Sequence, residues 1–178
     1  MSDDSAPTDA DRAFLEPDAL AGVVDMFTAL TREELSDAAA ELAFKQGESI
    51  EGGAVDRAID DAISEFALVS VEREQANGDE QDSHRHPARL AVGPTAFPRL
   101  PDGAADLPHI LDIAGDRSID RETVATAVEE RLRREAARAA ADGDDDRLET
   151  LLDVCFDVDV WAGIDTDDVR ADIERALE

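Results

Sequence analysis

Between Ile50 and Pro101 the apolar pattern changes period with almost no break, and that change constrains the fold more than any other stretch. Val55, Ile59, Ile63 and Phe66 recur at helical spacing, with Asp56, Arg57, Asp60, Asp61 and Ser64 on the opposite side. Leu68, Val69 and Val71 follow directly and alternate in part, as a half-buried strand does. The polar segment from Glu74 to Pro87 contains the turn-forming pair Asn77-Gly78 but is too long for a tight hairpin. A second strand is expected through Leu90 and Val92 toward Gly93-Pro94-Thr95-Ala96-Phe97-Pro98.

Upstream, residues 1–12 are acidic and aperiodic, which predicts a solvated tail rather than a signal peptide. Leu20, Val23, Val24 and Phe27 form one helical face, with Pro17 in the first turn. Thr31 and Glu34 have the spacing of a capping box, opening a helix that carries Leu35, Ala38, Ala39 and Leu42 inward and stops at Gly47. Three short-linked amphipathic helices therefore precede the first strand.

Downstream, prolines 94, 98, 101 and 108 force extended backbone and corners, because each fixes its own φ and restricts the residue before it. The segment Asp106 to Ile113 supplies apolar anchors for the first half. A long helix is expected from an Asp120 cap through Val124, Val128 and Leu132 to Gly143. A shorter one carries Leu148, Leu151, Leu152 and Cys155, and Val158, Val160 and Trp161 follow as an extended stretch. Thr166 is expected to cap a last helix bearing Val169, Ile173 and Leu177.

Charge decides which environments suit such a chain. Among its 178 residues, 28 Asp and 17 Glu face 16 Arg and the single Lys45, a net charge of −28. Leu, Ile, Val and Phe number 41, so the core is lean, and the 31 alanines add helix propensity more than buried area. Self-repulsion on this scale opposes compaction in dilute buffer. In about 1 M salt the Debye length falls to about 3 Å and most of that penalty disappears. An Asp-rich, Lys-poor, Ala-rich chain is expected in a salt-accumulating haloarchaeal cytoplasm. The acidic surface disfavours anionic lipid, and no apolar run is long enough to span a bilayer.

Two segments, Gly93-Pro94-Thr95-Ala96-Phe97-Pro98 and Asp106-Leu107-Pro108-His109-Ile110-Leu111-Asp112, together with the acidic first half, resemble a conserved haloarchaeal family of unknown function. The resemblance covers the chain from about Leu15 onward and implies no catalytic residues. Separately, the order helix, strand, long loop, strand resembles a winged-helix module, in which the third helix would enter the major groove and the loop would be the wing.

The candidate chemistry is sparse. The third helix presents Asp56, Asp60, Asp61 and Glu65 against Arg57, a face that repels phosphate. The basic residues Arg73, His84, Arg85, His86, Arg89 and Arg99 would have to supply any DNA contact. His84 and His86 beside Asp79 and Asp82 lack the four ordered ligands of a structural metal site. Residues 142–146 begin like a calcium loop, but Arg147 stands where its glycine belongs. Cys155 lies on an apolar face with no base at a recognisable position, which predicts a structural thiol. No phosphate loop or nucleophile motif is present, and no cofactor is expected.

The expected fold is predominantly helical, α+β in class, with an N-terminal three-helix module and two-stranded wing followed by a helical C-terminal half. Its expected divisions are a disordered acidic tail at 1–13, a winged-helix-like module at 14–101 and a helical subdomain at 102–178 packed on it. The expected function is that of a non-enzymatic cytoplasmic adaptor or regulatory module with a protein partner; the rival is a DNA-binding regulator. Candidate contact residues are Arg73, Arg85, Arg89, Phe97, Arg99 and Trp161.

Overall fold

A computed structural model describes residues 13–51, 53–72, 87–113, 115 and 117–178. The first half is built from α1 (Pro17–Phe27), β1 (Leu30–Thr31), α2 (Arg32–Gln46), α3 (Ala54–Ser64), β2 (Leu68–Val71) and β3 (Arg89–Val92). A 3-10 turn (Ala104–Asp106) and the short α4 (Leu107–Ile110) lead into α5 (Arg121–Asp142), α6 (Asp145–Ala162) and α7 (Asp167–Ala176). The protein is mainly helical with a small antiparallel sheet, as the sequence predicts.

The sheet has one strand more than expected. Its order is β1-β3-β2, with Leu30 opposite Leu90 on one side and Leu68 opposite Val92 on the other. The two-residue β1 is too short for a period-two pattern to register. β3 also ends at Val92 instead of running to Pro98: the Gly93 amide adds one more bond in the same register, to the Ala67 carbonyl at 2.9 Å, and Pro94 then has no N–H to donate.

The pleat distributes the strands between two cores. Leu68 and Leu90 join Leu20, Leu35, Leu42 and Ile59 on the side of α1 to α3. Val69, Val71 and Ala91 join Val128, Leu132, Leu151, Cys155 and Ile173 on the side of α5 to α7. Ala104 and Leu107 are buried in the first of these cores, so the segment after the prolines packs back on the N-terminal helices.

The caps follow the sequence with one exception. Thr31 and Glu34 form the capping box, Asp120 accepts from the Glu122 amide, and Gly47 and Gly143 take left-handed conformations that end α2 and α5. Thr166 precedes α7, but its side chain makes no cap. Its hydroxyl, buried, turns back to Asp159 Oδ1 at 2.7 Å, because that carboxylate also takes the Thr166 amide. The expected extended stretch over Val158, Val160 and Trp161 is instead the last turns of α6: Leu151, Val154, Cys155 and Val158 bury at helical spacing, and Gly163 closes the helix.

Phe66 departs from its expected place as the final inward residue of α3. The helix ends at Ser64, and Phe66 adopts φ 62°, with its amide on the Ile63 carbonyl and the Ala67 amide on the Ala62 carbonyl. That is a Schellman closure with a phenylalanine where glycine is usual. The reversal carries the ring to the far side of the sheet, into the second core.

Candidate interaction surface

The segment after β3 forms a strap across the N-terminal helices. Asp18 receives the Phe97 amide on its carboxylate at 2.9 Å and the Arg99 amide on its carbonyl at 3.0 Å. The Arg99 guanidinium donates to Glu16 at 2.8 Å. Gly22 allows this close passage, since a Cβ there would overlap the Arg99 carbonyl. Further on, Gln46 donates to the Asp102 carbonyl and Lys45 to Asp106 at 2.8 Å, which holds the Asp106 carboxyl below its ordinary range. A strap fixed at both ends leaves Phe97 77% exposed and Leu100 58% exposed.

Trp161 is only partly exposed. It packs against the second core, and Arg121 lies over its ring at 5.5 Å while donating to its carbonyl. Its neighbours on α6 are the open ones, Val160 at 89% and Phe156 at 51%. The ring of Phe156 has Arg170 over it at 4.9 Å, and that guanidinium is held by Asp159 and Asp167.

The expected basic residues do not assemble among the described residues. Arg89 lines a cavity of about 190 Å³ with Glu72, Ser118, Asp120 and Thr123, whereas Arg99 is held by Glu16 and Asp18 at the start of α1. Arg73 and Arg85, like His84, His86, Asp79 and Asp82 and the loop expected as a wing, lie outside the described residues. A larger groove, about 560 Å³, opens between α2, α3 and the base of the hairpin, lined by Arg32, Glu33, Asp56, Ile63, Ser70 and Leu90. Arg32 is spent there on Asp56 and Asp60. The exposed face of α3 thus keeps a net negative charge.

No three His, Cys, Asp or Glu side chains converge as metal ligands among the described residues. Cys155 is buried, and burial pushes its thiol above the ordinary range, so the reactive thiolate is disfavoured. No described helix is long and apolar enough to cross a membrane.

Sequence reasoning missed how the two halves are joined. Arg117 forks onto both carboxylate oxygens of Glu34 at 2.6 Å and reaches the Ala29 carbonyl. Arg131 and Arg147 donate to the Ile63 and Ser64 carbonyls at the end of α3, and Glu135 bridges the two guanidiniums. Apart from Arg131 and Glu135, four residues apart on α5, these partners are distant in sequence and leave no local spacing signal.

Residues 18–178 match the model of a family of unknown function, DUF7109. The chain belongs to that family. No curated protein and no solved structure matches it. The DUF7109 match covers the strap, the joining arginines and all of α6.

Proposed function

We propose that this DUF7109 protein is a non-enzymatic adaptor or regulatory module in the cytoplasm of a salt-accumulating, haloarchaeal cell, and that it binds another protein. The observation that carries the reading is a pair of large apolar side chains, Phe97 and Leu100, held open to solvent on a backbone pinned at both ends. Pinning removes most of the ordering cost that a loose loop would incur on binding. Molar salt screens attraction between charges beyond contact distance but leaves apolar contact in force, so it favours a surface of this kind.

Purification of a tagged protein from lysate in about 2 M KCl tests the reading. One specific protein should be recovered with the natural chain and lost with Phe97→Ser combined with Leu100→Ser. Recovery that ignores both substitutions would refute the strap as the contact.

A second reading, a winged-helix DNA-binding regulator, draws on the β1-β3-β2 strand order and on α3 leading directly into β2. Against it stand Asp56, Asp60, Asp61 and Glu65 on the exposed side of α3, with Arg32 already paired there. Saturable binding of duplex DNA in high KCl, measured by fluorescence anisotropy, would reverse the preference.

A further inference from the structure

The protein-binding reading can be carried further at α6. Leu148, Leu151, Val154, Cys155 and Val158 fill the core, so at 100° per residue Glu149, Asp153, Phe156, Asp157 and Val160 share the outward face. Val160, at 89% exposure, contributes almost nothing to the fold. Both ends of the helix are closed, by Asp144 at the start and by Gly163 in a left-handed conformation at the finish, so the face is presented rigidly.

Its charge is one-sided. Glu149, Asp153 and Asp157 form no ion pair among the described residues. Arg147, the one basic residue of α6, is committed to Glu135 and the end of α3. Arg170, beside Phe156, is held by Asp159 and Asp167. Asp157 is pushed above the ordinary carboxyl range by burial and then by the charge of Asp153, a penalty that an arriving cation would relieve. A second copy of this chain would bring three acids against three acids, and a nucleic acid would bring phosphate.

We propose that the outward face of α6 receives a cationic amphipathic helix from a partner protein, with Phe156 and Val160 meeting its apolar stripe and Glu149, Asp153 and Asp157 meeting its flanking bases. This rests on the protein-binding reading but uses a surface apart from the strap.

The test uses the full chain in about 2 M KCl and a labelled synthetic helix carrying leucines on one face and lysines on the other. A control peptide replaces every lysine by glutamate. Anisotropy should report saturable binding of the lysine peptide and none of the control, and the emission of the single tryptophan, Trp161, should shift on binding. Val160→Asp and, separately, Phe156→Ser should each weaken binding about tenfold or more. Asp153→Asn with Asp157→Asn should weaken it several-fold, while Phe97→Ser with Leu100→Ser should leave it unchanged. Circular dichroism confirms that each exposed-site variant is folded.

Equal binding of the control peptide, or indifference to Val160→Asp, overturns the proposal. So does self-association that Val160→Asp abolishes, since a second copy would then occupy the face. A partner recovered from lysate that needs Phe97 and Leu100 but not Val160 would sink this inference while leaving the protein-binding reading intact.

Discussion

Phe66 holds a backbone conformation that costs an L-residue about 1–2 kcal/mol, and it does so because the ring is fully buried with Arg131 stacked on it at 4.1 Å. Truncation separates the two effects. Phe66→Ala should cost about 3–5 kcal/mol. Phe66→Gly should cost about 1 kcal/mol less, because glycine adopts positive φ freely. Denaturant melts of the two variants check this, and an alanine variant at least as stable as the glycine one would count against stored strain. Glu34 offers a pH test. The Arg117 hydrogen bonds, the Thr31 amide and the Arg117 charge together outweigh burial and hold its carboxyl below the usual 4.5. The linked stabilisation is therefore full above that value and lost as pH falls through the lower, folded-state one. Arg117→Met should destabilise by about 2 kcal/mol near neutrality. The gap from the natural protein should narrow in acid, as urea melts across pH 3 to 7 would reveal.

At the scale of elements, the strap depends on α1 more than its sequence indicates. A glycine inside a helix is ordinarily improved by alanine, by about 1 kcal/mol. Gly22→Ala should do the reverse, because its Cβ would strike the Arg99 carbonyl. The expected outcome is a lower melting temperature and faster proteolysis near Arg99. Unchanged cleavage would mean that the strap is not held there. The helices announced themselves through caps and spacing: Thr31 with Glu34, Asp120, Gly47 and Gly143 are local signals, and each acts where it was expected. Val158 to Trp161 misled because valine alternating with aspartate also fits a strand, and only the burial of Val154 and Val158 four residues apart settles the period. Phe97 stands among the candidate contact residues because of the proline-rich segment around it, and it is exposed; the pinning of that segment to Asp18 leaves no local signal.

For the whole molecule, a charge of −28 on a lean core predicts that folding requires salt. Circular dichroism from about 0.1 to about 3 M KCl should show helical signal and thermal midpoint rising together. Complete, salt-independent folding at the low end would refute the halophilic reading. The joining arginines, Arg117, Arg131 and Arg147, meet their partners with little solvent between. Salt should therefore weaken them less than it relieves the surface repulsion.

The sheet shared by two cores also has a consequence during synthesis. When β3 leaves the ribosome, α1 to α3 can already cover Leu68 and Leu90, but Val69, Val71 and Ala91 face outward until α5, α6 and α7 have been made. At bacterial-like elongation rates that wait is on the order of ten seconds. For that interval the nascent chain carries a bare valine-rich ledge, open to any second ledge of the same kind.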